Sequence, residues 1–240
     1  MSGAPAAPQR RPTGKGEFWK FNWLARHKII RALEEARPHA RGQLLDVGCG
    51  WRPFAGVFEG HVDRYWGTDL LTSQDLAGVP PDCFSRAEAL PVRGDSMDTV
   101  LGLSMLTYLE VPDRALDEAF RVLRPGGVLI MEFTQMAAVL EHGHDYFRFT
   151  RYGAEVMTRR AGFEPLAFIP IGGLWSRVGL HLIGRLNRVN RGPLRVLTEI
   201  PVRLLYVVIQ LACEAFDHLL PTPAERLAHV VVARKPGARR

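Results

Sequence analysis

The chain has 240 residues, 47% of them hydrophobic and 23% charged. That is the balance of an ordinary globular protein, large enough for a substantial core and one domain with an appendage. A formal net charge of +6 suits an anionic partner, either nucleic acid or a lipid surface. The cysteines, Cys49, Cys83 and Cys213, form no evenly spaced framework and no C-x-x-C pair. This argues against a disulfide scaffold and a structural metal, and for a reducing, cytoplasmic compartment.

Residues 1–16 are rich in Ala, Pro, Gly and Arg, carry no apolar periodicity and read as a disordered tail. No apolar core follows a basic start, as a signal peptide would require. From Glu17 to Arg37 the pattern is helical. Phe18, Phe21, Ala25, Ile29, Ala32 and Ala36 share a stripe, with Trp19, Trp23 and Ile30 beside it, and Pro38 ends it. Gln43–Val47 is the first strand, and Pro53 opens a short helix through Phe58. Strands are predicted at 65–69, 82–87 and 99–103. A helix over 112–123 has Ala115, Leu116, Ala119, Phe120 and Leu123 on one face. Arg124-Pro125-Gly126-Gly127 punctuates its end. The unbroken apolar run 128–133 reads as a strand buried on both faces. Thr150 caps a helix to Arg160 that Gly162 terminates, and strands follow at 166–171 and 229–233. Strands alternating with helices imply a mostly parallel sheet covered on both faces.

The first strand ends in Leu44-Leu45-Asp46-Val47-Gly48-Cys49-Gly50. An acid at a strand's carboxyl end stands where open α/β sheets bind ligands, and the glycines let backbone approach one closely. A dinucleotide loop would need a third glycine where Pro53 stands. Asp69 closes the second strand, Ala87-Glu88-Ala89-Leu90-Pro91 precedes Asp98, and Arg121 to Leu129 reads R-V-L-R-P-G-G-V-L. In this order the four strings resemble the class I S-adenosylmethionine-dependent methyltransferase superfamily. The resemblance covers residues 44 to about 133. It implies a Rossmann-like α/β fold, a mostly parallel seven-stranded sheet whose last strand runs antiparallel, and S-adenosylmethionine as cofactor. It further implies that Asp46, Gly48 and Gly50 meet the amino-acid end of that cofactor, Asp69 the ribose, and Ala87 and Glu88 the adenine, with Cys49 and Leu70 also among its contacts. Ser104, after the fourth strand, completes the set. The chain departs from many relatives at Arg52, where they have glycine, and at Arg86, where they have an acid. The second departure puts the adenine contact on Glu88 or on backbone groups.

The string His142-Gly143-His144-Asp145-Tyr146-Phe147-Arg148-Phe149-Thr150 follows the fifth strand and resembles one found in bacterial methyltransferases of glycan and lipid pathways. Methyl transfer needs alignment and sometimes a base. His144 is the candidate base, because histidine changes charge near neutral pH. Arg148 is the candidate clamp for a phosphate or carboxylate. Tyr108, Asp145 and Tyr146 are candidate substrate contacts. The competing reading makes Asp145–Arg148 a local ion pair, Phe147 and Phe149 core, and Thr150 a cap. For Phe18, Trp19, Phe21 and Trp23, a core-facing stripe is preferred over a lid on the cofactor.

The domain is thus predicted over 17–171 and 229–235, with a helical insertion at 172–228 and a tail at 236–240. The insertion is too long and apolar for a loop. Leu174, Val178, Leu182, Ile183 and Leu186 share a face; Arg177, Arg185, Arg188, Arg191, Arg195 and Arg203 add positive charge. Its charge-free core, 204–213, is shorter than the ~20 residues that span a bilayer. A basic amphipathic pair on an anionic membrane, as in a peripheral membrane protein, a cap over the pocket and a homodimer interface all fit. The predicted activity is methyl transfer to a hydroxyl or other nucleophile of a small molecule, lipid or glycan precursor. The rivals are an RNA methyltransferase and a scaffold that binds the cofactor without turnover. Against RNA, Ser104-Met105-Leu106-Thr107 stands where an N/D-P-P-Y/F string would be, and no RNA-binding module is recognisable.

Overall fold

The structure is a computed structural model that describes residues 19–70, 79–139, 143–190 and 195–237. The predicted tail at 1–16 and the last three residues of the predicted tail at 236–240, with Glu17, Phe18, His142 and Arg191, lie outside the described residues. Seven strands form one sheet: β1 (Gln43–Val47), β2 (Arg64–Asp69), β3 (Cys83–Phe84), β4 (Met97–Gly102), β5 (Leu123–Thr134), β6 (Glu164–Ile171) and β7 (Ala228–Arg234). Their spatial order is β3-β2-β1-β4-β5-β7-β6. Strands β1 to β5 pair in parallel, and β7 inserts antiparallel between β5 and β6. The expected architecture is therefore present, antiparallel last strand included. The reversal of strand order lies between β1 and β4, whose carboxyl ends open the crevice in which such sheets bind ligands.

Alternating side chains divide the core into two layers. Leu44, Leu101, Ile130, Val230 and Val232 face α1 (Trp23–Ala36), whose Ile30, Ala32, Leu33 and Ala36 are buried. Leu45, Val100, Leu129, Met131 and Val231 face α2 (Pro112–Val122) and α3 (Arg151–Arg160), with Ala115, Leu116, Ala119 and Ala154 opposite. This is the strand period of two meeting the helix period of 3.6. Thr150 caps α3 as predicted, its Oγ1 accepting the Gly153 N–H at 3.1 Å.

Several boundaries differ from expectation. Helix α1 begins only at Trp23. Trp19 and Phe21 sit in the preceding turn, exposed, rather than on a core stripe, because a turn does not carry the helical period forward. The short helix after Pro53 reduces to a 3-10 turn at Ala55–Val57, and β3 keeps two residues of the six predicted. Strand β5 begins at Leu123, so the proline and glycines lie within it. Leu123 already pairs with Met97, and the register shifts before Thr99 meets Val128.

The segment before β7 forms two helices, α4 (Leu174–Val189) and α5 (Arg195–Leu219). They pack on one another and against the outer side of α1. Lys28 of α1 pins α5 through Glu214 at 2.7 Å and Asp217 at 3.3 Å. Asp217 also accepts the Trp175 and Ser176 N–H groups, placing a carboxylate at the positive end of α4. Among the described residues, no helix is long and apolar enough to cross a membrane.

Candidate cofactor and active site

Strand β1 delivers Asp46 to the crevice, and the chain then turns through Gly48 and Gly50, at φ of 73° and 50°. Glycine reaches these angles without strain. The turn is tied to β2: Gly48 N–H and Cys49 N–H both donate to Thr68 O, at 2.9 and 3.1 Å. Gly50 N–H donates to Asp69 Oδ2 at 2.5 Å, and Leu70 N–H to Asp69 Oδ1 at 2.6 Å. The loop amide is thus held by Asp69. A Cβ built on Gly50 meets nothing within 4 Å, so the loop's open side lies free above it.

Asp46 is buried and accepts a hydrogen bond from the Tyr65 hydroxyl, delivered by the neighbouring strand. Burial pushes its carboxyl from 3.8 up to about 7. The Tyr65 hydrogen bond and the Arg52 charge oppose that rise, and Asp69 adds to it. A cation placed against Asp46 would restore the charged form. Burial also pushes up the Cys49 thiol beside it, as expected of a packing residue rather than a nucleophile.

The departure at Arg52 has a structural account. Arg52 adopts φ 56°, the left-handed region that glycine favours. Its buried guanidinium donates to Asp82 Oδ2 at 2.8 Å. Asp82 Oδ2 also takes the Gly67 N–H at 2.7 Å. Gly67 has to be small, since a Cβ there would lie 2.7 Å from Cys49 Sγ and 2.9 Å from Arg52 Nε. Arg52 therefore braces the cofactor loop against β2 and β3. At the other departure, Arg86 donates to Glu88 Oε1 at 3.0 Å, while Arg86 and Ala89 form an isolated bridge that closes the loop. Ala87 lies half-buried within it.

Ser104, also at positive φ (53°), follows β4. Its hydroxyl donates to Glu132 Oε2 at 2.8 Å. Glu132 is buried in β5, and burial raises its carboxyl above the ordinary value. Tyr65, Arg52, Asp82 and Glu132 were not singled out from sequence as site residues. Only their places, an acid opening a predicted strand and an acid within an apolar run, would have flagged the last two.

The string after β5 lies along the same edge. Tyr146 N–H donates to Thr107 O at 2.8 Å and Phe149 N–H to Thr134 O at 2.8 Å, which fastens it to the loops after β4 and β5. Tyr108 stands in the first of those loops, half-buried. Arg148 is fully engaged: it grips both carboxylate oxygens of Asp145 and donates to the carbonyls of Phe147 at 2.7 Å and Ala138 at 3.1 Å. The local ion pair is therefore formed, Phe149 is buried and Phe147 is exposed. His144 is exposed, with Nδ1 3.4 Å from the Tyr146 hydroxyl, which donates to Glu110 Oε1 at 3.1 Å. Next to the glycine loop, Trp51, Arg26, Asn190 and Tyr206 line a cavity with the turn at 19–22. The Arg26 guanidinium stacks 5.0 Å from the Trp51 ring centre.

The arrangement fits S-adenosylmethionine: an open glycine loop, a buried carboxylate beneath it for an ammonium, and a second carboxylate on the next strand. Each Asp69 oxygen accepts one backbone N–H and retains acceptor capacity for hydroxyl donors. Comparison with known proteins agrees. Residues 45–131 match the family described as "Methyltransferase domain". An uncharacterized methyltransferase of Mycolicibacterium vanbaalenii is 33% identical over 132 residues, 51% of this chain and 52% of that protein. A ubiquinone/menaquinone biosynthesis C-methyltransferase of Bordetella parapertussis is 30% identical over 162 residues, 59% of this chain and 62% of that protein. The chain thus spans from about half to under two thirds of the length of these curated relatives. The solved structure of the cyclase SpnF superposes with a TM-score of 0.58 at 21% identity, covering 98% of this chain and 90% of that one, which shows the common fold. With the glycine loop, the two carboxylates and the sheet order in place, residues 45–131 match the methyltransferase domain family, the fold is the one shared with SpnF, and S-adenosylmethionine is the cofactor that this domain takes.

Proposed function

We propose that the chain transfers a methyl group to a hydroxyl or other nucleophile of a small molecule, lipid or glycan precursor. The observation that carries this reading is the clasp of Gly50 N–H by Asp69 above the buried Asp46. When bound, the cofactor supplies an electrophilic methyl. Asp46 would neutralise its ammonium, and Asp69 would accept from its ribose hydroxyls. Ser104 would complete the cofactor's set of contacts, and Tyr108 would bound the acceptor side. The Tyr146 hydroxyl gives its single proton to Glu110, so its contact with His144 requires an Nδ1–H donor. That leaves Nε2 of His144 to accept the acceptor's proton. Arg148 would position this string through Asp145 and the carbonyls it holds rather than clamp substrate. The Bordetella relative, named for ubiquinone/menaquinone biosynthesis, supports a lipophilic acceptor.

A second reading is cofactor binding without methyl transfer. It draws on the shared fold of a protein named as a cyclase. The test is to incubate the full chain with methyl-labelled S-adenosylmethionine and, separately, a lipid extract, a water-soluble metabolite extract and total RNA. Label in a lipid or small-molecule product supports the proposal. Label in RNA overturns the acceptor class. Saturable cofactor binding with no labelled product overturns turnover.

A further inference from the structure

Two of the three acids of the α4–α5 pair turn inward. Glu214 and Asp217 face Lys28 of α1, and Glu199 is held by Arg203 one turn away. The outward side of α5 is consequently apolar: Ile200, Leu204, Val208, Leu211 and Leu219 recur at helical spacing and are exposed, the first three at 72, 63 and 63%. On α4, Val178 and Leu182 are exposed as well. Beside them runs a cationic row, Arg177, His181, Arg185 and Arg188, each three or four residues from the next and exposed. Among the described residues, no acid pairs with Arg177, Arg185 or Arg188. A helix pair buried only on its inner side ordinarily shows water a polar outer face. Here the outer face is an apolar band bordered by cations, while the pair is unable to span a bilayer.

We infer that this face docks on an anionic lipid surface, the apolar band entering the headgroup–acyl boundary and the arginines meeting lipid phosphates. Charge complementarity selects this occupant: a second copy of the chain would bring its own arginine row against the first, like charge against like. The inference does not depend on which acceptor is methylated.

The test uses the full chain with vesicles of phosphatidylcholine alone and of phosphatidylcholine mixed with phosphatidylglycerol. Sedimentation with the vesicles should be far stronger for the anionic mixture and should fall with added salt. Combining Arg177→Gln, Arg185→Gln and Arg188→Gln should weaken anionic-vesicle binding by on the order of a hundredfold, at roughly fivefold per arginine. Leu204→Glu with Val208→Glu should remove binding to both vesicle types. Unchanged S-adenosylmethionine affinity in each variant certifies the fold. Equal binding of wild type to both vesicle types, or wild-type binding by the arginine variant, overturns the inference. So does a lipid-free dimer, seen by analytical ultracentrifugation, that Leu204→Glu dissociates.

Discussion

Asp46 is a group whose replacement should raise stability and lower function together. Its carboxyl ordinarily titrates at 3.8 and in the fold at about 7, chiefly because it is buried. The folded state therefore favours the protonated form. Below the unfolded value both states are protonated and the fold carries no penalty. As pH rises toward the folded value, stability is lost, and above it the loss is complete, reaching about 4 kcal/mol at about 1.4 kcal/mol per pH unit. Asp46→Asn removes this penalty and leaves Tyr65 an amide oxygen to donate to. Its NH2 is left without an evident acceptor, which costs about 1–3 kcal/mol. Without cofactor, the variant should thus be about 1–3 kcal/mol more stable than wild type at about pH 8. The advantage should shrink by about 2–3 kcal/mol on going to about pH 5. Urea unfolding of both proteins at the two pH values measures this. Calorimetric titration should meanwhile show S-adenosylmethionine binding weakened by roughly tenfold or more, since the neutral amide cannot pair with an ammonium. A stability difference that does not change with pH, or a variant less stable than wild type at the higher pH, would refute the reasoning.

Asp69→Ala should weaken S-adenosylmethionine binding by roughly tenfold to a hundredfold, about 1.5–3 kcal/mol, with the domain still folded by circular dichroism. Unchanged affinity would show that this carboxylate does not hold the ribose. His144→Ala should lower methyl transfer and leave cofactor affinity nearly intact; normal turnover would leave the string structural. Arg148→Ala should instead lower the melting temperature, because its partner Asp145 and three backbone carbonyls lose their donor. Equal melting temperatures would contradict the positioning role. Thr150→Ala should cost about 1 kcal/mol in chemical denaturation through loss of the α3 cap, and no change would mean water replaces it.

The fold class was legible in the sequence because its signals are local. Strand and helix periods, Pro53 and Gly162 as punctuation, and the apolar run ending at Phe133 each act within a few residues. Asp46, Gly48, Gly50 and Asp69 were legible for the same reason, as an acid and glycines at strand ends. The connections among them were not. Asp69 holds the loop amide because parallel pairing sets Val47 beside Thr68. Tyr65 reaches Asp46 across the same pair of strands, and a hydroxyl inside a strand carries no mark in the sequence. Arg52 reads as a departure from the expected glycine until its left-handed backbone and its partner Asp82 are seen together. In the helical pair, the sequence carries the apolar and basic residues, and tertiary packing alone decides which of them face water. Lys28 draws Glu214 and Asp217 of α5 inward and leaves the apolar stripe and the arginines outside. Local chemistry determines the elements and the ligand class; burial, charge pairing and exposure depend on residues far apart in the chain, which only the packed structure brings into contact.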